Sequence, residues 1–220
     1  MKTAVIIPVF NEKSSFNEII RQAKKYVDVV IVVDDGSSDA KRPQVDTSTG
    51  GIQVLRHQIN LGKGAALKTG CEAALQLHAD IMVVMDSDGQ HKPEDIRRFL
   101  QVLHDPHVDI VFGSRKIGRD MPLVMMIGNK FLSLAASILF GIYISDTQSG
   151  FRAFTASAYE KIKWNSTRYS VETEMIANVA KKKLAFREID IETIYKDDYK
   201  GTTVLDGVKI FINMLIWKII

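Results

Sequence analysis

The chain has 220 residues, of which 46% are hydrophobic and 25% are charged, and its formal net charge is +3. This length suits one compact domain. The small positive charge fits a protein that handles anionic ligands or touches an anionic surface, but many ordinary cytosolic proteins share it, and no nucleic-acid partner is expected. The one cysteine, Cys71, excludes an internal disulfide and indicates a reducing, cytoplasmic compartment, where we expect it to be a buried structural thiol. The first residues lack the apolar segment of a signal peptide, so none is expected.

Short apolar runs alternate with helical patterns through the first half of the chain. The predicted strands are 4–7, 29–33, 52–55, 81–85 and 109–112, and the predicted helices are 16–27, 67–75 and 93–103. Apolar strands without polar alternation, separated by amphipathic helices, are typical of a parallel sheet with helices on both faces. We therefore predict a single α/β domain over 1–220 that binds its ligand beyond the carboxyl ends of the strands.

The second half carries two apolar segments. Residues 131–144 hold no charge, but a bilayer crossing takes about 20 residues, so we expect either a buried helix or one lying in a membrane surface. Residues 208–220 predict a second apolar helix, with Lys209 and Lys218 near its ends. Contact with a membrane, packing on the sheet and a homodimer interface all stay open for these helices. One more strand is predicted over 186–194.

Polar residues follow each of the five strands predicted in the first half. In chain order the segments are PVFNE at 8–12, DDGSSD at 34–39, NLGKG at 60–64, DSDGQH at 86–91 and GSR at 113–115. The carboxyl ends of parallel strands meet at one edge of a sheet, so these segments are expected to form a single site.

Asp86 and Asp88 directly follow a buried strand in this prediction. Two carboxylates one residue apart can both face Mg²⁺ or Mn²⁺, with Gln90 offering a third oxygen and phosphates or water completing the ligands. A solvated acidic turn is the alternative for such a motif. A calcium EF-hand is excluded, because the sixth and twelfth positions of that loop would be His91 and Arg97 instead of Gly and Glu.

Three further residues suit a nucleoside diphosphate. Lys63 stands between two glycines at the start of a helix, where backbone N–H groups and the helix dipole favour a phosphate. Arg115 would direct a planar guanidinium at a diphosphate. Asp35 would accept hydrogen bonds from a base or ribose, or it would satisfy backbone groups in a turn.

These segments, together with DTQSGFRAF at 146–154, occur in the order and spacing of family-two glycosyltransferases. Over residues 3–195 the chain resembles the polyprenyl-phosphate (dolichyl-phosphate type) mannosyl- and glucosyltransferases. The resemblance implies a GT-A fold with a Rossmann-like, mostly parallel sheet, in which 1–115 is the nucleotide-binding half and 116–220 the acceptor-side half. It implies inverting transfer of a hexose from a UDP- or GDP-sugar to a polyprenyl phosphate, with Mg²⁺ or Mn²⁺ as cofactor.

The resemblance also implies roles for individual residues. The base and ribose would be contacted by Pro8, Phe10, Glu12 and Asp35. The metal and diphosphate would be bound by Asp86, Asp88, Gln90 and Arg115. The donor sugar and the acceptor would be bordered by Asp146, Ser149, Gly150, Phe151 and Arg152. Where that branch has arginines for the acceptor phosphate, this chain offers Lys130 and Lys200.

The acceptor decides whether a catalytic base is needed. A phosphate monoester is already anionic at neutral pH, whereas a saccharide hydroxyl must lose a proton, for which Asp146 is the candidate base. Asp146 would otherwise cap a turn. Glu172 and Glu174 start a predicted helix, where we expect a structural role.

Two alternatives stay open: transfer to a saccharide in cell-envelope polysaccharide synthesis, and a catalytically silent nucleotide-sugar-binding protein. A nucleotidyltransferase is disfavoured, since no glycine-rich loop follows the first predicted strand. A polyprenyl-phosphate acceptor would place the protein at the inner face of the membrane.

Overall fold

A computed structural model describes residues 1–12, 16–48, 50–115, 123–194 and 203–219. One sheet contains β1 (Thr3–Val9), β2 (Val29–Asp34), β3 (Ile52–Arg56), β4 (Ile81–Val84), β5 (Ile110–Arg115), β6 (Arg152–Thr155) and β7 (Phe186–Ile191). The helices are α1 (Phe16–Lys24), α2 (Lys63–Gln76), α3 (Ile96–Leu103), α4 (Leu123–Phe140), α5 (Ala156–Ile162), α6 (Val171–Lys181) and α7 (Val204–Ile219).

The strands lie in the order β3-β2-β1-β4-β6-β5-β7. Every pairing is parallel except those of β6, which runs antiparallel to β4 on one side and to β5 on the other. The predicted α/β class with a mostly parallel sheet is therefore confirmed. Neither β6 nor α5 was predicted, and β6 depends on its two neighbours for every hydrogen bond of its ladder.

Apolar side chains cover both faces of the sheet. Successive residues of β1 alternate between the faces, so that Ile6 joins one core and Val5 the other. The first core is completed by α2, α4, α5, α6 and α7, and the second by α1 and α3. Cys71 lies fully buried in the first core, as predicted.

Several predicted boundaries move. The helix predicted from 131 begins at Leu123 and ends at Phe140. The next residue, Gly141, adopts a φ of 71°, a left-handed conformation that commonly ends a helix. The prediction that it reaches 144 was therefore wrong. The last strand ends at Ile191. Within the described ranges, no helix has the length and hydrophobicity that a bilayer crossing requires.

Candidate active site

The topology brings the polar segments to one edge of the sheet. Strands β1, β2, β3, β4, β5 and β7 point in the same direction, so the residues after each of them gather at the carboxyl edge. Because β6 runs the opposite way, its first residue, Arg152, lies at that same edge. The loop that leads into β6, which holds Asp146 and Gly150, thereby joins the site.

Lys63, the first residue of α2, reaches across this edge to two carboxylates. Its Nζ lies 2.6 Å from Asp86 Oδ1 and 2.7 Å from Glu172 Oε1. Burial alone would lower the pKa of Lys63, but the charges of Asp86 and Glu172 outweigh it and raise the pKa. Burial would likewise raise the pKa of Asp86, but the charge of Lys63 prevails and lowers it. Lys63 and Asp86 are therefore both ionised at neutral pH.

Asp88 sits in a less favourable field. Its Oδ1 accepts a hydrogen bond from the backbone N–H of Gln90 at 2.9 Å. Burial, and then the nearby charge of Asp86, raise the pKa of Asp88. Without a bound cation, a negative charge on Asp88 is repelled by the charge of Asp86. A cation bound between the two carboxylates would offset this repulsion.

The donor set at this point fits a hard divalent cation. Asp86 and Asp88 offer carboxylate oxygens and the buried Gln90 offers an amide, which are ligands that Mg²⁺ and Mn²⁺ accept. The described residues contain no group of three or more His, Cys, Asp or Glu side chains able to hold a metal. Phosphate oxygens and water would therefore have to complete the coordination.

Gly150 allows the loop before β6 to approach these charges. A Cβ atom at this position would overlap Asp86 Oδ2 and come within 2.8 Å of Lys63 Nζ. Ser149 beside it is buried, and its Oγ accepts from the backbone N–H of Phe151 at 3.4 Å. Any side chain larger than that of glycine at position 150 would displace Asp86 or Lys63.

Arg152 holds this loop from within and does not face an acceptor. It is 1% exposed, and it donates to the carbonyl oxygens of Ser149, Thr147 and Glu172 at 3.0, 2.9 and 2.5 Å. Burial lowers the pKa of Arg152 to about 10, so it remains charged at neutral pH. The resemblance implied that Arg152 contacts the donor sugar or the acceptor. The structure differs, because the guanidinium of Arg152 is enclosed by the protein.

Arg115 and Asp146 pair with each other. Arg115 Nε lies 2.6 Å from Asp146 Oδ2, its Nη2 lies 2.9 Å from Oδ1, and its backbone N–H adds a third bond at 3.2 Å. Burial would raise the pKa of Asp146, but Arg115 outweighs it and lowers the pKa. Asp146 is therefore a weak base here, and Arg115 is directed at a carboxylate instead of a diphosphate.

Asp35 is bound by the protein itself. Its Oδ2 accepts from the N–H of Gly62 at 2.7 Å, and its Oδ1 accepts from Leu61 N–H at 3.0 Å and lies 2.7 Å from His57 Nδ1. Of the two predicted roles, nucleoside contact and backbone support, the geometry shows the second, because the carboxylate is 3% exposed. Asp35 thereby fixes the loop that carries Lys63.

The loop after β1 keeps an aromatic ring at the surface. Phe10 is 46% exposed, whereas Pro8 is buried opposite Val33. The next residue, Asn11, accepts from the N–H of Ser38 at 3.0 Å, which ties this loop to the loop after β2. Phe10 is thus the residue of the predicted nucleoside-contacting set that exposes an apolar ring face to solvent.

Lys200, one of the two lysines expected near the acceptor phosphate, lies outside the described residues.

Two site residues were not predicted. Glu172, expected to act only at a helix start, pairs with Lys63, and its buried Oε2 has no partner among the described residues. His91 Nε2 lies 3.7 Å from Asp86 Oδ2. The position of His91 directly after Gln90 was the available signal. Glu174 lies in the first turn of α6, as predicted, and it also accepts from the backbone N–H of Asn165 at 2.9 Å.

Comparison with known proteins places the chain among sugar-transferring enzymes. The model of the family described as glycosyl transferase family 2 matches residues 4–163. A UDP-N-acetylglucosamine–dolichyl-phosphate N-acetylglucosaminyltransferase of Methanococcus voltae is 34% identical, over 97% of this chain and 95% of the relative. An undecaprenyl-phosphate mannosyltransferase of Micrococcus luteus is 27% identical, over 94% of this chain and 88% of the relative.

Solved structures resemble the fold. Glucosyl-3-phosphoglycerate synthase of Mycobacterium tuberculosis, in complex with Mn²⁺, UDP-glucose and phosphoglyceric acid, superposes with a TM-score of 0.76 at 18% identity, over 100% of this chain and 80% of that one. Mannosyl-3-phosphoglycerate synthase of Rubrobacter xylanophilus gives a TM-score of 0.68 at 18% identity, over 99% and 73% of the two chains. The predicted GT-A fold is confirmed by these similarities.

Proposed function

Because this chain belongs to glycosyl transferase family 2 and is a glycosyltransferase, we propose that it transfers a sugar from a nucleoside diphosphate sugar to a polyprenyl phosphate, with a divalent cation. The observation that carries the proposal is the cluster of Asp86, Asp88 and Lys63 at the carboxyl end of β4. Two carboxylates and an ammonium in one partly buried site suit a ligand that consists of a cation bound to a polyanion.

The donor would lie across the loops after β1, β2 and β4. The exposed ring of Phe10 offers an apolar face on which a base can stack. Lys63, at the start of α2, would contact the diphosphate, where the helix dipole also favours an anion. Glu172 Oε1 pairs with Lys63, while its buried Oε2 has no hydrogen-bond partner among the described residues and could accept one from the donor.

Asp86 and Asp88 would hold the cation, with Gln90 nearby. Mn²⁺ is named with the structurally similar mycobacterial enzyme, which supports Mg²⁺ or Mn²⁺ here. When bound, the cation would stabilise negative charge on the departing nucleoside diphosphate. Lys63 would add to that stabilisation from the protein side.

A polyprenyl phosphate is the acceptor that the relatives support, since dolichyl phosphate and undecaprenyl phosphate are named with two of them. The site supports it too, because Arg115 engages both oxygens of Asp146, the candidate base for a hydroxyl acceptor. A phosphate oxygen needs no base. It would attack the anomeric carbon, a new C–O bond would form on the opposite face, and the electron pair of the breaking bond would leave with the diphosphate.

This acceptor is anchored in a lipid bilayer, so we place the enzyme at the inner face of the membrane as a peripheral protein. A homodimer is compatible with the same chemistry. A saccharide acceptor in envelope polysaccharide synthesis is the second candidate, and it would need Asp146 to be released by Arg115.

The proposal is tested by incubating the protein with Mn²⁺, a detergent-dispersed polyprenyl phosphate and radiolabelled UDP-N-acetylglucosamine, UDP-glucose or GDP-mannose. We expect label from one donor to enter the organic phase as a polyprenyl phosphate sugar, and EDTA to prevent it. Transfer only to saccharides would favour the second candidate. Donor binding without transfer or hydrolysis would indicate a silent binding protein.

A further inference from the structure

Helix α4 carries apolar side chains on two opposite faces. One face packs into the core through Leu132 and Ala136, which are 3% and 0% exposed. The other face turns to solvent, and its residues recur at helical spacing. They are Ile127, Phe131, Leu134 and Ile138, each more than half exposed.

Helix α7 repeats this arrangement beside α4. Its inner face is buried through Ile210 and Met214, while its outer face exposes a second apolar row. The ring centroids of Phe131 and Phe211 lie 5.1 Å apart, so the two helices are in direct contact. The exposed row of α7 is Val208, Ile212, Leu215, Ile216 and Ile219.

Because α4 and α7 are in contact, we treat the two rows as one surface, here called the α4–α7 face. On an ordinary protein surface, exposed apolar residues are scattered singly and do not form rows on adjacent helices. The charged residues of α4 and α7 are mostly positive. Lys130 is the one charged residue within the sequence of α4, and Lys209 and Lys218 are exposed on α7, against a single acid, Asp206. Lysines beside an apolar row suit an anionic lipid surface, because the side chains can extend to headgroups while the row enters the acyl boundary.

The same charges argue against a second copy as the occupant. Two α4–α7 faces brought together would oppose lysines to lysines, with only Asp206 of each copy to compensate. Both helices also remain attached to the core by their inner faces, so the face can lie in the plane of a bilayer but cannot enter as a spanning segment.

Helix α4 connects this face to the candidate active site. Asn129 Oδ1 accepts from the backbone N–H of Thr147 at 3.2 Å, and its Nδ2 donates to the carbonyl of Ser145 at 3.3 Å. These two residues flank Asp146, whose partner is Arg115. The loop at the acceptor side is therefore held by the helix whose outer face is apolar.

We propose that the α4–α7 face docks in the plane of an anionic phospholipid bilayer and holds the 145–150 loop at the level of the lipid headgroups. The choice of a bilayer rests in part on the proposed polyprenyl-phosphate acceptor, whose phosphate lies at that level. Docking would present the acceptor to the site without extraction of its tail from the membrane.

The test is flotation of the full chain with vesicles of phosphatidylcholine and phosphatidylglycerol, compared with phosphatidylcholine alone. We expect binding to the mixed vesicles that is at least tenfold stronger and that weakens with salt. The double substitution Leu134→Glu and Ile212→Glu, both at outward-facing positions, should reduce binding at least tenfold. The matched control is Gln53→Glu with Val54→Glu, which adds the same two charges to exposed positions of the edge strand β3.

Transfer to a short-chain, water-soluble prenyl phosphate separates docking from chemistry. The Leu134→Glu, Ile212→Glu variant should keep this activity within twofold of the wild type, while its activity on long-chain acceptor in vesicles falls at least tenfold. If the wild-type protein stays in the soluble fraction at low salt, or if this variant floats as well as the control, the docking proposal is overturned. The same holds if the variant converts a dimer into a monomer in sedimentation without any change in flotation. Vesicle binding by a wild-type protein that transfers to no prenyl phosphate would instead refute the proposed function.

Discussion

Lys63 Nζ lies 2.6 Å from Asp86 Oδ1, so a lysine ammonium neutralises one of the two carboxylates that would hold a metal. Glu172 Oε1 also pairs with this ammonium, at 2.7 Å. A cation arriving with the proposed nucleoside diphosphate would have to compete with Lys63 for Asp86, and the phosphates would then offer Lys63 a new partner. We therefore expect the pairing to link metal binding to nucleotide binding.

Replacing Lys63 by Met should separate these two events. Without the competing ammonium, Mn²⁺ alone should raise the melting temperature of the variant more than that of the wild type. Affinity for the nucleoside diphosphate should fall at least tenfold, since a charge-assisted contact is lost. Thermal shift with and without nucleotide measures both, and Lys68→Met, at an exposed position of α2, is the matched control. Equal Mn²⁺ shifts in wild type and variant would contradict the competition.

Asp88→Asn should abolish transfer while leaving the fold intact. Burial and the charge of Asp86 already raise the pKa of Asp88, so the neutral amide removes a repulsion. We expect a melting temperature in EDTA that is no lower than that of the wild type, together with a loss of at least about a hundredfold in kcat, the scale at which lost charge stabilisation is felt. A folded variant that turns over at close to the wild-type rate would exclude Asp88 from the metal site.

Asp146→Asn should destabilise the protein in a pH-dependent way. The folded pKa of Asp146 is below its ordinary value of 3.8, so the carboxylate stabilises the fold above that pH and this stability is lost as the pH falls through the folded pKa. Leaving Arg115 without its charged partner should lower the free energy of unfolding by about 3 kcal/mol at neutral pH. Urea denaturation should show that the difference in free energy of unfolding between the wild type and Asp146→Asn becomes smaller below pH 4. The effect of Asp146→Asn should also be smaller in an Arg115→Gln background.

Asp35→Ala should weaken binding of a bare nucleoside diphosphate and of the full donor to the same extent. Asp35 holds the N–H groups of Leu61 and Gly62, and their release would displace Lys63 from the diphosphate. Loss of these bonds should also cost about 1–3 kcal/mol of stability. Calorimetric titration of both ligands provides the comparison. A defect seen only with the sugar-bearing ligand would place Asp35 at the sugar instead.

The sequence by itself determined the central strands and the edge at which the site forms. Strand β1 was predicted over 4–7 and spans Thr3–Val9, and β2 was predicted over 29–33 and spans Val29–Asp34. The interior residues of such strands are buried on both faces and are therefore apolar, so the run is visible in the sequence without any knowledge of the neighbouring strands. The polar residues after them were then assigned to one edge by the parallel arrangement alone.

The tertiary structure alone decided which side chains meet at that edge. Arg115 and Asp146 are 31 residues apart, and nothing in either segment indicates that they pair. Likewise β6 is a strand because β4 and β5 both bond to it, and its antiparallel direction brings Gly150 against Asp86 and Lys63. The outward apolar rows of α4 and α7 were visible as apolar segments, but their exposure was not. Periodicity records which residues share a face, whereas only packing determines what that face meets.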